Sequence, residues 1–205
     1  MDPHTISSLE QLTALYDPPS ERVLLKQIDH LDEHCRAFIA ASPFLVLATR
    51  GSSGLDCSPR GDQPGFVEVQ DDKTLLLPDR RGNNRIDSLR NILDDPAVGL
   101  IFLMPGVHET FRVNGRARIS VEPPLLERFA VDGKPPKSVL VVTVEEAFVQ
   151  CARALVRSDL WNPARHVPRS VLPSIGTVLA AHTGGKVDAA EYDAQWEAAV
   201  QRTLY

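Results

Sequence analysis

The chain has 205 residues, which is enough for one substantial hydrophobic core with appended segments. Apolar residues make up 43% and charged residues 24%, a composition that is typical of a globular protein and excludes a disordered chain. The net charge is −5, with acidic and basic residues interleaved, so no nucleic-acid partner is expected. No apolar run reaches the length of a membrane span, and Met1–His4 lacks the pattern of a signal peptide. We therefore expect no membrane partner and a cytoplasmic location.

Three cysteines lie far apart, at Cys35, Cys57 and Cys151, and this odd number does not suggest a disulfide framework. Their spacing, like that of the histidines, does not match a metal site. We expect no metal ion and a reducing environment.

The predicted elements begin after an irregular arm, residues 1–19. Ser20 is expected to cap one helix that runs to Ala41, with apolar residues on one face. Three segments are then expected: the arm, a domain over residues 20–150 that includes this helix, and an arm with helices over residues 151–205.

Short apolar stretches separated by turn residues predict an antiparallel sheet or barrel. The first, Phe44–Thr49, is expected to be buried on both faces. The others are Leu55–Ser58, the stretch from Phe66 to Val69, Thr74–Leu77, Val98–Met104, Thr110–Val121 and Val139–Val144. Asn114-Gly115 predicts a turn or bulge within the long strand.

The residues Pro78–Arg85 join an apolar strand to an amphipathic helix. Pro78 is expected to end the strand, and Asn83 or Asn84 to cap the helix. A helix N-terminus attracts anions, and arginine recognises phosphate in a bidentate manner. The residues alone leave two interpretations open, a phosphate site or a solvated basic turn.

From Glu145 the strand pattern is expected to give way to a helical or irregular arm. Beyond it, Ile175–Ala181 predicts a helix, and Asp188 with Glu191 predicts a cap that opens a final helix.

This order of elements, with three motifs, resembles the FMN-binding split-barrel family related to pyridoxamine 5′-phosphate oxidase. The motifs are Ser58-Pro59-Arg60-Gly61-Asp62, Pro78 to Arg85, and Arg112-Val113-Asn114-Gly115-Arg116-Ala117. Together, in this order, they are specific, whereas each alone is weak. The resemblance implies a mainly β fold, a split antiparallel β-barrel with flanking N- and C-terminal helices. It also implies a homodimer that binds FMN at the subunit interface.

The resemblance further implies which residues contact FMN. Arg60 and Arg85 are the expected phosphate ligands, with Ser58 and Pro59 along the ring edge. Further donors and neighbours are Gly61, Arg81, Asn83, Asn84 and Ser88, and an arm from the second subunit brings Arg153, Arg157, Ser158 and Trp161. Trp161 is either a lid over the ring or core packing of the arm. The subgroup often has histidine where this chain has Gln150, and no catalytic side chain is assigned.

The first hypothesis for function is an FMN-dependent oxidoreductase, in which a small substrate or NAD(P)H reduces the flavin and an acceptor reoxidises it. A second is a flavin-binding redox sensor or carrier without turnover. A third is a related split barrel that binds haem or a deazaflavin.

Overall fold

A computed structural model describes residue 2 and residues 4–205. Seven strands form one antiparallel sheet. They are β1 Phe44–Gly51, β2 Gly54–Gly61, β3 Glu68–Val69, β4 Thr74–Pro78, β5 Ala97–Leu103, β6 Thr110–Ser120 and β7 Val139–Gln150. Their hydrogen-bonded order is β2-β1-β5-β6-β7-β4-β3, and the described residues do not close the sheet between β2 and β3. The predicted mainly β fold, a split antiparallel barrel with flanking helices, is confirmed.

Eight helices accompany the sheet in the described part of the chain. They are α1 Leu9–Thr13, α2 Glu21–Leu25, α3 Glu33–Ala41, α4 Asp87–Asp94, α5 Pro123–Arg128, α6 Arg153–Ser158, α7 Ile175–His182 and α8 Ala189–Arg202. Two short 3₁₀ turns lie between α6 and α7. Among the described residues, no helix combines the length and the apolarity that a bilayer crossing requires.

Strand β4, which lies between β7 and the short edge strand β3, is buried on both faces. Leu75 and Leu77 point into the main core, whereas Leu76 packs in a second cluster with Phe129 under α5. All three leucines are 0% exposed, and burying each of them stabilises the fold by about 1.5–3 kcal/mol. Because both faces pack in apolar clusters, β4 is anchored in the sheet and holds the beginning of the following loop in place.

Strand β1 does not show the predicted burial on both faces. Leu45 and Leu47 are buried, but Phe44 and Ala48, on the opposite face, are exposed. The inner residues pack against Ile39 of α3, which lies over the inner face of the sheet. The apolar run was therefore misleading, because its outer residues remain at the surface of the chain.

The segment before β1 also differs from the prediction. The single helix expected from Ser20 to Ala41 is broken into α2 and α3. Between them Ile28 pairs with Ala147 of β7 through two main-chain hydrogen bonds, of 3.0 and 2.7 Å. A separate cap, Asp32, then accepts from the Cys35 amide and starts α3. The arm predicted as irregular likewise contains a helix, α1.

Strands β6 and β7 form the longest pairing in the sheet. The register shifts between Asn114 and Gly115, as the bulge prediction required. A Cβ on Gly115 would lie 2.1 Å from the Thr143 carbonyl oxygen, so only glycine fits at this bulge. Beyond it β7 continues to Gln150, which pairs with Thr110, and the predicted end of the strand pattern at Glu145 is wrong.

The last two helices, α7 and α8, pack against each other. The Gly176 amide donates to Asp193 Oδ1 at 2.8 Å. A Cβ on Gly176 would lie 2.2 Å from the Ala189 carbonyl oxygen, so the two helices touch backbone to backbone here. The predicted cap is present, since Asp188 Oδ1 accepts from the Glu191 amide at 2.8 Å.

Candidate functional site

The residues that follow β4 form a loop rather than the start of a helix. Helix α4 begins at Asp87, and its cap position is Ile86 in the left-handed conformation, with φ of 55°. The predicted cap at Asn83 or Asn84 is therefore wrong. Asn83 Oδ1 instead accepts from the Arg85 amide at 3.0 Å, and Asn84 also has a positive φ, 58°. Left-handed conformations cost about 1–3 kcal/mol each in residues other than glycine, and such strain is concentrated at functional sites.

A buried ion pair anchors the beginning of this loop. Arg80 Nε donates to Asp62 Oδ2 at 2.6 Å, and Arg80 Nη1 donates to the Phe129 carbonyl oxygen at 2.6 Å. The two side chains are 18% and 5% exposed. Burial alone would raise the pKa of Asp62, but hydrogen bonds from Tyr205, the Gln63 amide and Arg80 outweigh it and hold that pKa below its usual value.

The loop and the end of β2 line one groove of about 710 Å³, a volume typical of ligand pockets. Five basic side chains and three carboxylates line it, so an excess of positive charge faces the groove. The basic residues are Arg60, Arg80, Arg81, Arg85 and Lys137, and the acidic ones are Asp56, Asp79 and Asp87. This excess favours an anionic ligand.

Arg60 is held across the groove by a hydroxyl network. Its Nη2 donates to Ser88 Oγ at 3.1 Å, and Ser88 Oγ donates to Asp56 Oδ2 at 2.5 Å. Ser58 Oγ donates to Asp56 Oδ1 at 2.9 Å. Asp56 thus joins the two serines, and the network fixes the guanidinium of Arg60 beside the first turn of α4.

Arg85 stands at the open side of the groove. Its Nε donates to Asp87 Oδ2 at 2.8 Å, and its side chain is 75% exposed. Arg81 and Gly82 are also exposed. On one side of the groove the guanidinium of Arg60 is therefore held by hydrogen bonds, and on the other side the guanidinium of Arg85 is open to solvent.

Two residues that the sequence analysis did not select, Lys137 and Ser138, complete the groove. The Asp79 amide donates to the Ser138 carbonyl oxygen at 2.9 Å, and Lys137 Nζ donates to Asn84 Oδ1 at 3.2 Å. Ser138 is 5% exposed, and its hydroxyl has no hydrogen-bond partner among the described residues. A buried, unpaired hydroxyl in a groove wall suits a ligand that supplies the missing hydrogen bond.

Asp79 is the carboxyl group with the most unusual environment in the groove. Burial raises its pKa, while the positive charges of Arg60 and Lys137 oppose that rise. Neither Asp79 nor Asp56 was among the predicted site residues. Only the pairing of β4 with β7 brings Asp79 next to Ser138, and no local motif signals that pairing.

Nine of the predicted cofactor residues line this groove: Ser58, Pro59, Arg60, Gly61, Arg81, Asn83, Asn84, Arg85 and Ser88. The other four, in the arm after β7, do not line it: Arg153, Arg157, Ser158 and Trp161. Trp161 Nε1 donates to the Val107 carbonyl oxygen at 2.7 Å, and Ser158 Oγ donates to the Leu155 carbonyl oxygen at 3.1 Å. Within the described chain the arm therefore lies apart from the groove.

The thiols and metal-ligating side chains do not form a second centre in the part of the chain that is described. Residues 2 and 4–205 contain no group of three or more His, Cys, Asp or Glu side chains that is suited to a metal ion. Cys35, Cys57 and Cys151 are all unpaired, and only Cys35 is buried.

An open antiparallel barrel, with a basic groove beside the loop that joins β4 to α4, defines the chain as a split-barrel protein. A family model described as pyridoxamine 5′-phosphate oxidase matches residues 31–151, more than half of the chain. The chain belongs to this family.

Three solved structures illustrate its similarity to known proteins. HupZ from Group A Streptococcus is 22% identical, with a TM-score of 0.47, over 58% of this chain and 92% of HupZ. A Lactobacillus delbrueckii protein named for pyridoxamine 5′-phosphate oxidase is 20% identical, with a TM-score of 0.47, over 59% of this chain and 95% of the other. General stress protein 26 from Bacillus anthracis is 17% identical, with a TM-score of 0.41, over 55% of this chain and 88% of the other. No curated protein matches the chain.

Proposed function

We propose that this protein binds FMN in the groove and is an FMN-dependent oxidoreductase. One observation carries the proposal: residues from two separate segments, the end of β2 and the loop after β4, line a single basic groove. Either motif alone is compatible with a solvated turn. A shared anionic ligand would explain why two basic segments that are distant in sequence line the same groove.

The residues of the groove suit the phosphate of FMN. A phosphate dianion needs several charge-assisted hydrogen bonds to offset its desolvation. Arg60 and Arg85 would supply the charge, Arg81 further donors, and the unpaired Ser138 hydroxyl one more hydrogen-bonding partner. The amides in the first turn of α4 add partial positive charge.

Bound FMN would supply two-electron transfer between a small substrate, or NAD(P)H, and an acceptor. The protein's own contribution is to bind and orient. The network of Arg60, Ser88 and Asp56 fixes the cationic side of the groove. Asp79, whose pKa is raised by burial, is the lining carboxyl best suited to hold a proton.

We propose a homodimer, in which Arg153, Arg157, Ser158 and Trp161 of one subunit approach the groove of the other. Their distance from the groove of their own chain supports this arrangement. Unpaired Cys57 and Cys151 suit the cytoplasmic location that the sequence predicts.

Titration of the purified apoprotein with FMN, followed by quenching of flavin fluorescence, tests the cofactor. Saturable binding at one FMN per chain supports the proposal, and the absence of binding refutes it. The absorption spectrum of protein as purified separates a flavin from haem, which gives a Soret band. Anaerobic addition of NADPH or NADH then tests turnover. Flavin that stays oxidised with both donors and with candidate substrates would identify a carrier or sensor instead.

A further inference from the structure

The chain that follows α8 returns to the anchor of the groove loop. Tyr205 Oη donates to Asp62 Oδ1 at 2.5 Å, while Asp62 Oδ2 accepts from Arg80 Nε at 2.6 Å. One carboxylate therefore connects Tyr205 to Arg80. The guanidinium carbon of Arg80 also lies 5.7 Å from the centre of the Tyr205 ring, within range of a cation–π interaction.

These contacts act on a side chain with little freedom. Arg80 is 18% exposed and is bonded on one side to Asp62 and on another to the Phe129 carbonyl oxygen. The next residue is Arg81, which lines the groove. Any change in the position of Arg80 is therefore passed directly to the groove loop through the main chain.

Tyr205 also lies where positive charges crowd together. A second cavity of about 350 Å³ adjoins the groove and is lined by Tyr205 with four basic residues, Arg80, Arg81, Lys134 and Lys137. Like charges at short range repel each other. Asp62 and the negative face of the aromatic ring offset that repulsion on one side of the cavity.

We infer that Tyr205 is a positioning residue, which holds the loop from Asp79 to Ile86 in its anion-binding shape through Asp62 and Arg80. This inference rests on the proposed FMN site, and it assigns a role to the helical pair α7 and α8. The pair carries Tyr205 back to the barrel, so the region outside the matched family segment contributes to the groove.

The experiment compares Tyr205→Ala and Tyr205→Phe with wild type and with Tyr16→Ala. Tyr16 is 70% exposed and lies far from the groove in sequence, so it controls for the loss of a tyrosine. FMN affinity is measured by fluorescence titration. Trypsin cleavage within residues 79–86 of the apoprotein is measured by mass spectrometry, and the melting temperature of each variant is recorded.

For Tyr205→Ala we expect FMN affinity to fall about three- to tenfold, the range for one lost hydrogen bond, and loop cleavage to accelerate. Tyr205→Phe keeps the ring over Arg80 and is expected to lie between Tyr205→Ala and wild type. The melting temperature of Tyr205→Ala should fall by only about 2–4 °C, because the lost hydrogen bond to Asp62 also contributes to stability, and Tyr16→Ala should match wild type in all three measurements. Because a merely structural residue would not expose this one loop in protein that is still fully folded, faster cleavage within residues 79–86 well below the melting temperature identifies a positioning role.

Two outcomes overturn the inference. One is FMN affinity in Tyr205→Ala within twofold of wild type, whatever the cleavage rate. The other is equal loss of affinity in all three variants. Wild-type protein that binds no FMN would refute the proposed function, and the trypsin comparison would then decide by itself whether Tyr205 holds the loop.

Discussion

Arg60 of β2 donates through Nη2 to Ser88 Oγ of α4, across a distance of 3.1 Å and 28 positions of sequence. This bond joins the two motifs that the sequence presents separately. Ser88 is 3% exposed, so its hydroxyl is held within the protein rather than by solvent. The arrangement orients a guanidinium towards the groove before any ligand arrives.

Ser88→Ala should therefore weaken FMN binding. The change removes the acceptor of Arg60 and one of the two hydroxyls that donate to Asp56, so the guanidinium of Arg60 loses its fixed position. We expect a loss of about three- to tenfold in affinity, measured by fluorescence titration. Ser52→Ala is the matched control, because Ser52 bonds to Asp94 outside the groove. Unchanged affinity in Ser88→Ala would contradict the role of this network.

Arg85→Ala should reduce FMN affinity more strongly. The exposed guanidinium would leave its bond to Asp87 and contact the phosphate directly, and a charge-assisted contact contributes more than a neutral one. We expect about a tenfold loss or more at low salt, and a smaller loss at high salt because ions screen an exposed charge. Arg90→Ala, on α4 but outside the groove, is the control. Equal FMN affinity in wild type and Arg85→Ala would remove Arg85 from the phosphate site.

Local patterns were sufficient for much of this fold. Pro78 ended β4 as predicted, because proline cannot donate in the ladder. Asn114-Gly115 gave the bulge, because a glycine there permits close approach of the neighbouring strand. Both features depend on the residue itself and its neighbours in sequence, so the sequence alone can predict them.

Other features depend on partners that are distant in sequence. The break between α2 and α3 exists because Ile28 pairs with Ala147, and no helical periodicity can signal that contact. Ser138 reaches the groove through the pairing of β4 with β7, since Pro78 lies opposite Val139. Ile86 adopts a left-handed conformation that β-branched residues rarely take, so the start of α4 was predicted at an asparagine instead. Tertiary structure overrides local preference at these points.

The three thiols should differ in reactivity. Burial, together with a hydrogen bond to the Asp32 carboxylate, raises the pKa of the Cys35 thiol to about 11. Cys57 and Cys151 are exposed. With Ellman's reagent at pH 8 we expect two thiols to react rapidly and the third only after denaturation. A double variant, Cys57→Ser with Cys151→Ser, should show only the slow reaction, and a rapid one would contradict the burial of Cys35.

The Asp62–Arg80 pair should make stability depend on pH in acid. The folded-state pKa of Asp62 lies below its ordinary value of 3.8. A depressed carboxyl pKa contributes stability that is complete above the unfolded pKa and is lost as the pH falls through the folded pKa. At pH 7, Asp62→Asn should therefore lower the free energy of unfolding by about 1.5–3 kcal/mol, the value of a hydrogen bond to a charged group.

Urea denaturation of wild type and Asp62→Asn between pH 7 and pH 2.5 measures this dependence. The difference in the free energy of unfolding between the two proteins should be constant down to about pH 4, near the ordinary carboxyl pKa. Below that pH the difference should decrease. Asp17→Asn, which alters an exposed carboxyl, should match wild type throughout. A difference that does not change with pH would show that the Asp62 pKa is not depressed.

A groove shared between subunits predicts complementation between two inactive variants. Arg60→Ala damages the groove, and Arg157→Ala damages the arm that we place at the partner's groove. Each variant alone should bind FMN weakly. In a mixed dimer, one of the two sites combines an intact groove with an intact arm, and random exchange of subunits restores about a quarter of all sites.

FMN titration of the two variants, mixed and incubated long enough for exchange, measures the restored fraction. Dilution of wild-type holoprotein is a second measurement, because a dimer that separates at low concentration should release its FMN. Mixtures that bind no more FMN than the separate variants would exclude a groove that is completed by the arm of the partner subunit. A monomer that retains FMN on dilution would lead to the same conclusion, and Arg153, Arg157, Ser158 and Trp161 would then have no part in the site.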